Sequence, residues 1–366
     1  MERIPVSSVA LAGNELKYLK ECVETKWVSS EGEFVKKFEQ EFAKYCGTRH
    51  AVSVSNGTHA LHLALLCHGI KAGDEVIVPD LTFVATANAV AYIGAKPVCA
   101  DIDRETWNIG PEKIKPLISK KTKAIIPVHL YGLPCEMDEI NEIAEKQGLA
   151  VIEDSAESIG AEYKGKKAGN LGHSAIFSLY GNKVITTGEG GMITTNDAGI
   201  AEKANYLKNH AMSKERRYFH TELGFNYRMT NLQAAFGLAQ LEGLDGFLMD
   251  RKKIAETYGE LFSKTKGITL PLEKPYLKNT FWTYSVLIEK EFGISSAELQ
   301  KKLGEKGIDT RPFFAPISKM PYFKSLGFKC PVSCDVSERG ISLPTFSGLT
   351  GEQIERVIAE IKNSAK

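Results

Sequence analysis

The sequence predicts an α/β protein of two domains: a large one over residues 1–245, built on a mainly parallel sheet and including the N-terminal segment, and a small C-terminal α+β domain over 246–366. Three observations predict it. The 366 residues exceed what a single hydrophobic core usually serves. From about residue 48 to 200, short apolar runs alternate with helical patterns, as in a sheet whose strands are joined by crossover helices. Most of those runs are apolar throughout, which is what strands covered on both faces require.

Taken in order, the chain opens with MERIPVSSVALAGNELKYLKE, which has charge and helical character but no apolar stretch of the kind a secretory leader carries. The first forty residues are expected to pack against the small domain or to line the site. Strands are expected at HAVSVS (50–55), DEVIVP (74–79), KPVCADI (96–102), KAIIPVHLYG (123–132), LAVIEDSA (149–156), SAIFSLYG (174–181) and GMITTN (191–196). Helices fall between them, at THALHLALLCHG (58–69) and at EMDEINEIAEKQG (136–148), the latter stopped by Gly148. After Asn231 the pattern turns helical through LQAAFGLAQLEGLDGFLMDRKKIAETYGELFSK, a bridge into the second domain punctuated by Gly243 and Gly246. Beyond it, the strand TFWTYSVLIE and the helices AELQKKLGEKG and TGEQIERVIAEIK suffice for a small α+β unit.

Composition narrows the function classes. A net charge of +1 argues for neither nucleic-acid nor membrane-surface binding, and KKTK at 120–123 reads as a solvated loop because no aromatic residues interleave with it. No apolar run approaches the ~18 residues of a spanning helix. The seven cysteines are scattered and complete no zinc pattern, so they read as reduced thiols of a cytoplasmic protein.

Three segments carry chemistry. In SVSNGTHALHLALL (53–66) a strand ends, Gly57 turns the chain, and a helix opens at Thr58 with free N–H groups that suit a phosphate. The same Asn-Gly-Thr is also an ordinary turn and cap. In VIEDSAES (151–158) an apolar strand ends on two carboxylates, at the sheet edge where α/β proteins place ligands. Glu153 or Asp154 could be a metal ligand, a general base or the counter-ion of a cationic ring nitrogen; a solvated acidic loop is the plain alternative. In FSLYGNKVITTGEGGMITTN (177–196), Lys183 lies between two β-rich runs, where partial desolvation would lower its pKa and free its amine to condense with a carbonyl. Ser178, five residues earlier, could reach a phosphate on the same ligand. A hairpin with a surface lysine would read the same way. Together, phosphate cradle, strand-end acid and lysine occur in the order that pyridoxal 5'-phosphate (PLP) requires.

These segments, with WVSSEG (27–32), GDEVIVPDLTFVATANAV (73–90) and GFNYRMTNLQAA (224–235), resemble the DegT/DnrJ/EryC1/StrS family of sugar aminotransferases along nearly the whole chain. The resemblance implies an aspartate-aminotransferase-like large domain (PLP fold type I). Lys183 would carry the cofactor and move protons, and Asp154 would pair with its ring nitrogen. Gly57, Thr58 and Ser178 would hold the phosphate, Phe83 would cover the ring face, and Glu157 would contact the cofactor in place of the commoner Gln or His. Asn226 would reach the cofactor of the neighbouring subunit, so the site would be completed only in a homodimer. Weaker substrate contacts are implied for Trp27, Ser29, His210, Arg228, Arg311 and Phe313. WVSS-x-G, HLYGLPC, Asp154-x-x-Glu157 and YGNKVITTGEGGM look most like members that transfer the amine of L-glutamate to C4 of GDP-4-keto-6-deoxy-D-mannose, a step toward lipopolysaccharide O-antigen. UDP- or dTDP-linked 3- or 4-keto-sugars, and a PLP-binding regulator without turnover, stay open as alternatives. His59 and His62 lie three apart but lack a third ligand, so no metal site is expected. Trp27, Trp107 and Trp282 read as packing residues, Trp27 also adjoining the expected substrate mouth.

Overall fold

The structure is a computed structural model that describes residues 2–365. Its large layer is a seven-stranded sheet of β1 (His50–Val54), β2 (Glu75–Pro79), β3 (Lys96–Ala100), β4 (Thr122–Ile125), β5 (Ala150–Asp154), β6 (Ser174–Ser178) and β7 (Gly191–Thr195). The strand order is β1-β7-β6-β5-β4-β2-β3. Only β7 runs against the others, pairing antiparallel with β1 and β6. The apolar runs are continuous because alternate residues enter opposite cores. Ile126, Ile152, Ile176 and Ile193 pack with the helix α1 of this face (Gly57–Cys67), while Ile77, Val98, Ile125 and Val151 pack with α2 (Met137–Gln147) on the other.

The run at 123–132 is shorter as a strand than its composition suggests. Pro127 has no N–H to continue the ladder, so β4 stops at Ile125 and the chain turns through Leu130–Gly132, with Tyr131 at φ 53. The first forty residues meet the expectation in part. Ile4 joins the C-terminal core, Arg3 pairs with Asp309 and the Val6 carbonyl accepts the Thr345 N–H, whereas helices Glu15–Glu24 and Glu33–Cys46 pack on the helix Asn231–Glu242 of the large body.

That second core gathers Ile4 and residues from Ile254 to Ile361 around an antiparallel four-stranded sheet: β8 (Ile268–Thr269), β9 (Tyr284–Ile288), β10 (Arg311–Pro312) and β11 (Gly340–Leu343), in the order β8-β9-β11-β10. The segment from Phe313 to Val336 nevertheless packs on the large body. Two acids just past β2 and β3 clasp it there. Asp80 accepts the N–H (2.7 Å) and hydroxyl (2.9 Å) of Ser318, and Asp101 accepts the N–H groups of Val332 (3.0 Å) and Ser333 (2.8 Å). This clasp brings Phe314 to the C-terminal edge of the parallel sheet. Among the described residues no helix is long and apolar enough to cross a membrane.

Candidate active site

At that edge lies a cavity of about 410 Å³, lined among others by Asn56, Gly57, Thr58, Phe83, Thr86, Asp154, Glu157, Ser178, Lys183, Trp282 and Phe314. One end is the start of α1. Asn56 caps the helix, its side-chain oxygen accepting the N–H of His59 at 2.8 Å, which leaves the earlier N–H groups without an intrahelical partner at the cavity end. A Cβ at Gly57 would sit 3.0 Å from the Cβ of Ser178, so glycine is what lets the helix terminus and β6 approach each other. The result is a short cradle of backbone N–H groups flanked by the Thr58 and Ser178 hydroxyls, a shape and polarity suited to a phosphate.

The strand-end acids separate by alternation along β5. Glu153 points away from the cavity and is spent on structure: it accepts N–H groups from Gly169 (2.9 Å), Leu171 (2.7 Å) and Gly172 (2.7 Å). His129 completes its shell. The ring's Nδ1 accepts the Cys135 N–H at 3.1 Å, so Nε2 bears the proton and donates to Glu153 at 3.1 Å. Asp154 points into the cavity, accepting the Thr86 hydroxyl at 2.8 Å and the Ala156 N–H at 3.2 Å. Burial pushes its pKa up, opposed by these hydrogen bonds and by the nearby Lys183 charge. Of the two acids, it is Asp154 that faces the cavity.

Lys183 sits on a loop fixed at both ends. The Leu179 carbonyl accepts the Thr186 hydroxyl and the Thr187 N–H, both at 2.9 Å, and the Glu189 carbonyl accepts the Gln233 side-chain amide at 2.7 Å. The lysine Nζ lies 3.8 Å from the centre of the Trp282 ring, whose Nε1 donates to the Asn182 carbonyl at 2.8 Å. Lys183 keeps an opening to the cavity, yet desolvation is the largest influence on its amine and lowers its pKa, with Glu157 and then Asp154 acting in the opposite sense. Glu157 is buried and accepts the Tyr131 N–H at 2.7 Å. Its pKa is raised to about 7, first by desolvation.

The structure brings Gly57, Thr58, Phe83, Asp154, Glu157, Ser178 and Lys183 to one cavity. Asn226 does not line it; it is exposed on a segment bridged to Asn209. Among the weaker candidates, Trp27 and Ser29 are exposed, and their carbonyls accept from the side chain and N–H of Asn231. Arg228 bonds the Asn209 side chain and borders a separate pocket with Lys36, Glu39 and Lys208. His210, at φ 61, and Arg311 lie outside the cavity. Phe313 is buried against Tyr131 and Trp107, and its neighbour Phe314 is the one that lines the site. Trp282 packs in the core as expected, and its ring is also the surface on which the lysine amine rests. Sequence reasoning also missed Thr86. Its hydroxyl lies 3.1 Å from that of Thr82, and the pair stands four apart at a helix start, a spacing open to inspection.

Residues 10–362 match the DegT/DnrJ/EryC1/StrS aminotransferase family. The chain belongs to this family. It is 47% identical to the GDP-perosamine synthase of Caulobacter vibrioides over 99% of this chain and 98% of that one. It is 44% identical to the GDP-perosamine synthase of Escherichia coli, over 97% of this chain and 96% of the relative. A Streptococcus pneumoniae chain named as a sugar aminotransferase and solved in its PLP form superposes with a TM-score of 0.93 at 26% identity, covering 99% of this chain and 98% of that one. As a member of the family the protein is an aminotransferase, with PLP as its cofactor. The cavity fits that cofactor: it offers an N–H cradle that any side chain at position 57 would crowd, a buried acid, and a lysine amine within one enclosure.

Proposed function

We propose that this aminotransferase moves the amine of L-glutamate to C4 of GDP-4-keto-6-deoxy-D-mannose, yielding a GDP-linked 4-amino sugar. The observation that supports this substrate is identity of 47% and 44% to two GDP-perosamine synthases over nearly the whole of each chain. The site residues support the class of chemistry. When bound, PLP supplies a carbonyl that holds amines and a ring that withdraws electrons from the carbon beside the nitrogen. Gly57, Thr58 and Ser178 hold its phosphate at the start of α1, and Asp154 keeps a proton on its ring nitrogen. Phe83, exposed at the cavity, covers one ring face. Lys183 would hold the cofactor at its carbonyl, and its amine would be the group that takes up and returns the proton in the reaction. Desolvation brings its amine toward the range where it both accepts that proton and releases it.

The exposed Asn226, outside its own cavity, reaches the cofactor phosphate of a second copy, and the working unit is a homodimer with shared sites. Trp27, Ser29, His210, Arg228 and Arg311, which also lie outside the cavity of their own chain, contact the nucleotide sugar in that assembly. The enzyme acts in the cytoplasm.

The test is to incubate the protein with PLP, L-glutamate and GDP-4-keto-6-deoxy-D-mannose and to follow product mass and 2-oxoglutarate. A GDP-amino-sugar formed in step with 2-oxoglutarate supports the reading, and NMR assigns the carbon. Lys183→Ala should lose both the yellow colour and the product. Turnover of UDP- or dTDP-linked keto-sugars in place of the GDP sugar would reject the proposed nucleotide while leaving the aminotransferase intact.

A further inference from the structure

Glu157 is a buried carboxylate with too little around it to be a settled anion. It is 5% exposed, and one oxygen accepts a single backbone N–H, that of Tyr131. Among the described residues its other oxygen makes no hydrogen bond to protein, and no ion pair reaches either oxygen. Glu153, four residues earlier and fully buried, shows what a fully partnered carboxyl receives in this part of the fold: three backbone N–H groups and a histidine N–H. Glu157 has one hydrogen bond where Glu153 has four.

The charged and titratable groups that face Glu157 are few. Lys183 approaches from the loop after β6 and Asp154 from the end of β5; Tyr131 presents its N–H and its phenol, and Tyr180 and Glu189 line the same cavity. Tyr131 stays a neutral phenol, since burial and Glu157 raise its pKa well above the ordinary value. Asp154 already has two hydrogen bonds, from Thr86 and Ala156. Lys183 Nζ rests on the Trp282 ring and makes no ion pair with either acid among the described residues.

We propose that Glu157 is the proton partner of Lys183: the amine becomes a free base by passing its proton to the Glu157 carboxylate, within the cavity, and recovers it from there. The balance is one proton. Ammonium with carboxylate and amine with carboxylic acid carry the same net charge of zero, so the exchange needs no ion to enter or leave a desolvated site. Because Nζ sits over Trp282, the transfer runs through a turn of the lysine stem or one bridging water. Glu157 acts through Lys183 and is in that sense a positioning residue for its proton. The use of this exchange in turnover rests on the aminotransferase reading above, but the exchange itself is a property of the chain without cofactor.

The experiment therefore uses the cofactor-free protein. The rate at which an amine-selective reagent labels Lys183, read by peptide mass, is followed against pH in wild type, Glu157→Gln and Glu157→Asp, with circular dichroism checking the fold. Wild type should show two titration steps, as two strongly interacting groups must. Glu157→Gln keeps an acceptor for the Tyr131 N–H but holds no proton, so it should show one step, moved down by about one pH unit or more because an anion that favoured the ammonium is gone. Glu157→Asp should restore the second step. A wild-type curve with a single step, or a Gln variant that labels like wild type, overturns the proposal. Should the Gln variant fail to fold, the wild-type curve decides alone. Failure of the substrate reading would show only in the turnover assay and leave these curves unchanged.

Discussion

Replacing Thr86 by valine removes one hydroxyl and almost no volume, and with it the hydrogen bond that Asp154 receives in the cavity and a 3.1 Å contact with the Thr82 hydroxyl. Thr86 is 1% exposed and donates to Asp154 at 2.8 Å, while the Ala156 N–H, at 3.2 Å, is the longer of the acid's two bonds. A hydrogen bond to a charged group contributes about 1.5–3 kcal/mol. Its loss raises the Asp154 pKa further, because the ionised carboxylate keeps one donor fewer. If the ionised acid holds a proton on the cofactor's ring nitrogen, the same energy appears as PLP affinity weakened by about tenfold to a hundredfold. The assay is an absorbance titration of cofactor-free protein with PLP, together with the rate of the L-glutamate half-reaction. Thr86→Ser, which restores the hydroxyl, should lie close to wild type. A valine variant with wild-type affinity and half-reaction rate would refute the assignment of Asp154.

Gly57→Ala places a Cβ 3.0 Å from that of Ser178, so PLP affinity should fall by an amount set by an overpacking cost of about 1–3 kcal/mol, read in the same titration. Asn226→Ala mixed with Lys183→Ala subunits should give activity that departs from the average of the two parents, whereas simple averaging would count against shared sites. The cofactor-free protein should lose stability as pH rises from the ordinary glutamate value of 4.5 through about 7. The folded state binds the Glu157 proton in that interval and the unfolded chain does not, so the contribution is complete below 4.5 and gone above about 7. Urea unfolding at several pH values measures it, and a curve flat across that window in wild type contradicts a buried, proton-binding Glu157.

The α/β class and most strand positions were legible in the sequence because burial on two faces writes itself as continuous apolar runs. Val151 and Ile152, neighbours in β5, serve opposite cores, and both are fully buried. The cofactor motifs were legible for a similar reason: a glycine turn into a helix, an acid at a strand end and a lysine before a glycine-rich turn are each local in the chain. Period-two alternation also places Glu153 and Asp154 on opposite sides of their strand. Which side held the cavity was decided only in three dimensions, where loop 169–172 closed over Glu153 and left Asp154 open. Trp282 and Phe314 lie far along the chain from Lys183, and nothing local distinguishes them from core aromatics. The clasp of Asp80 and Asp101 on residues 318–333 puts Phe314 there, and long-range packing of that kind leaves no periodic trace in a single sequence.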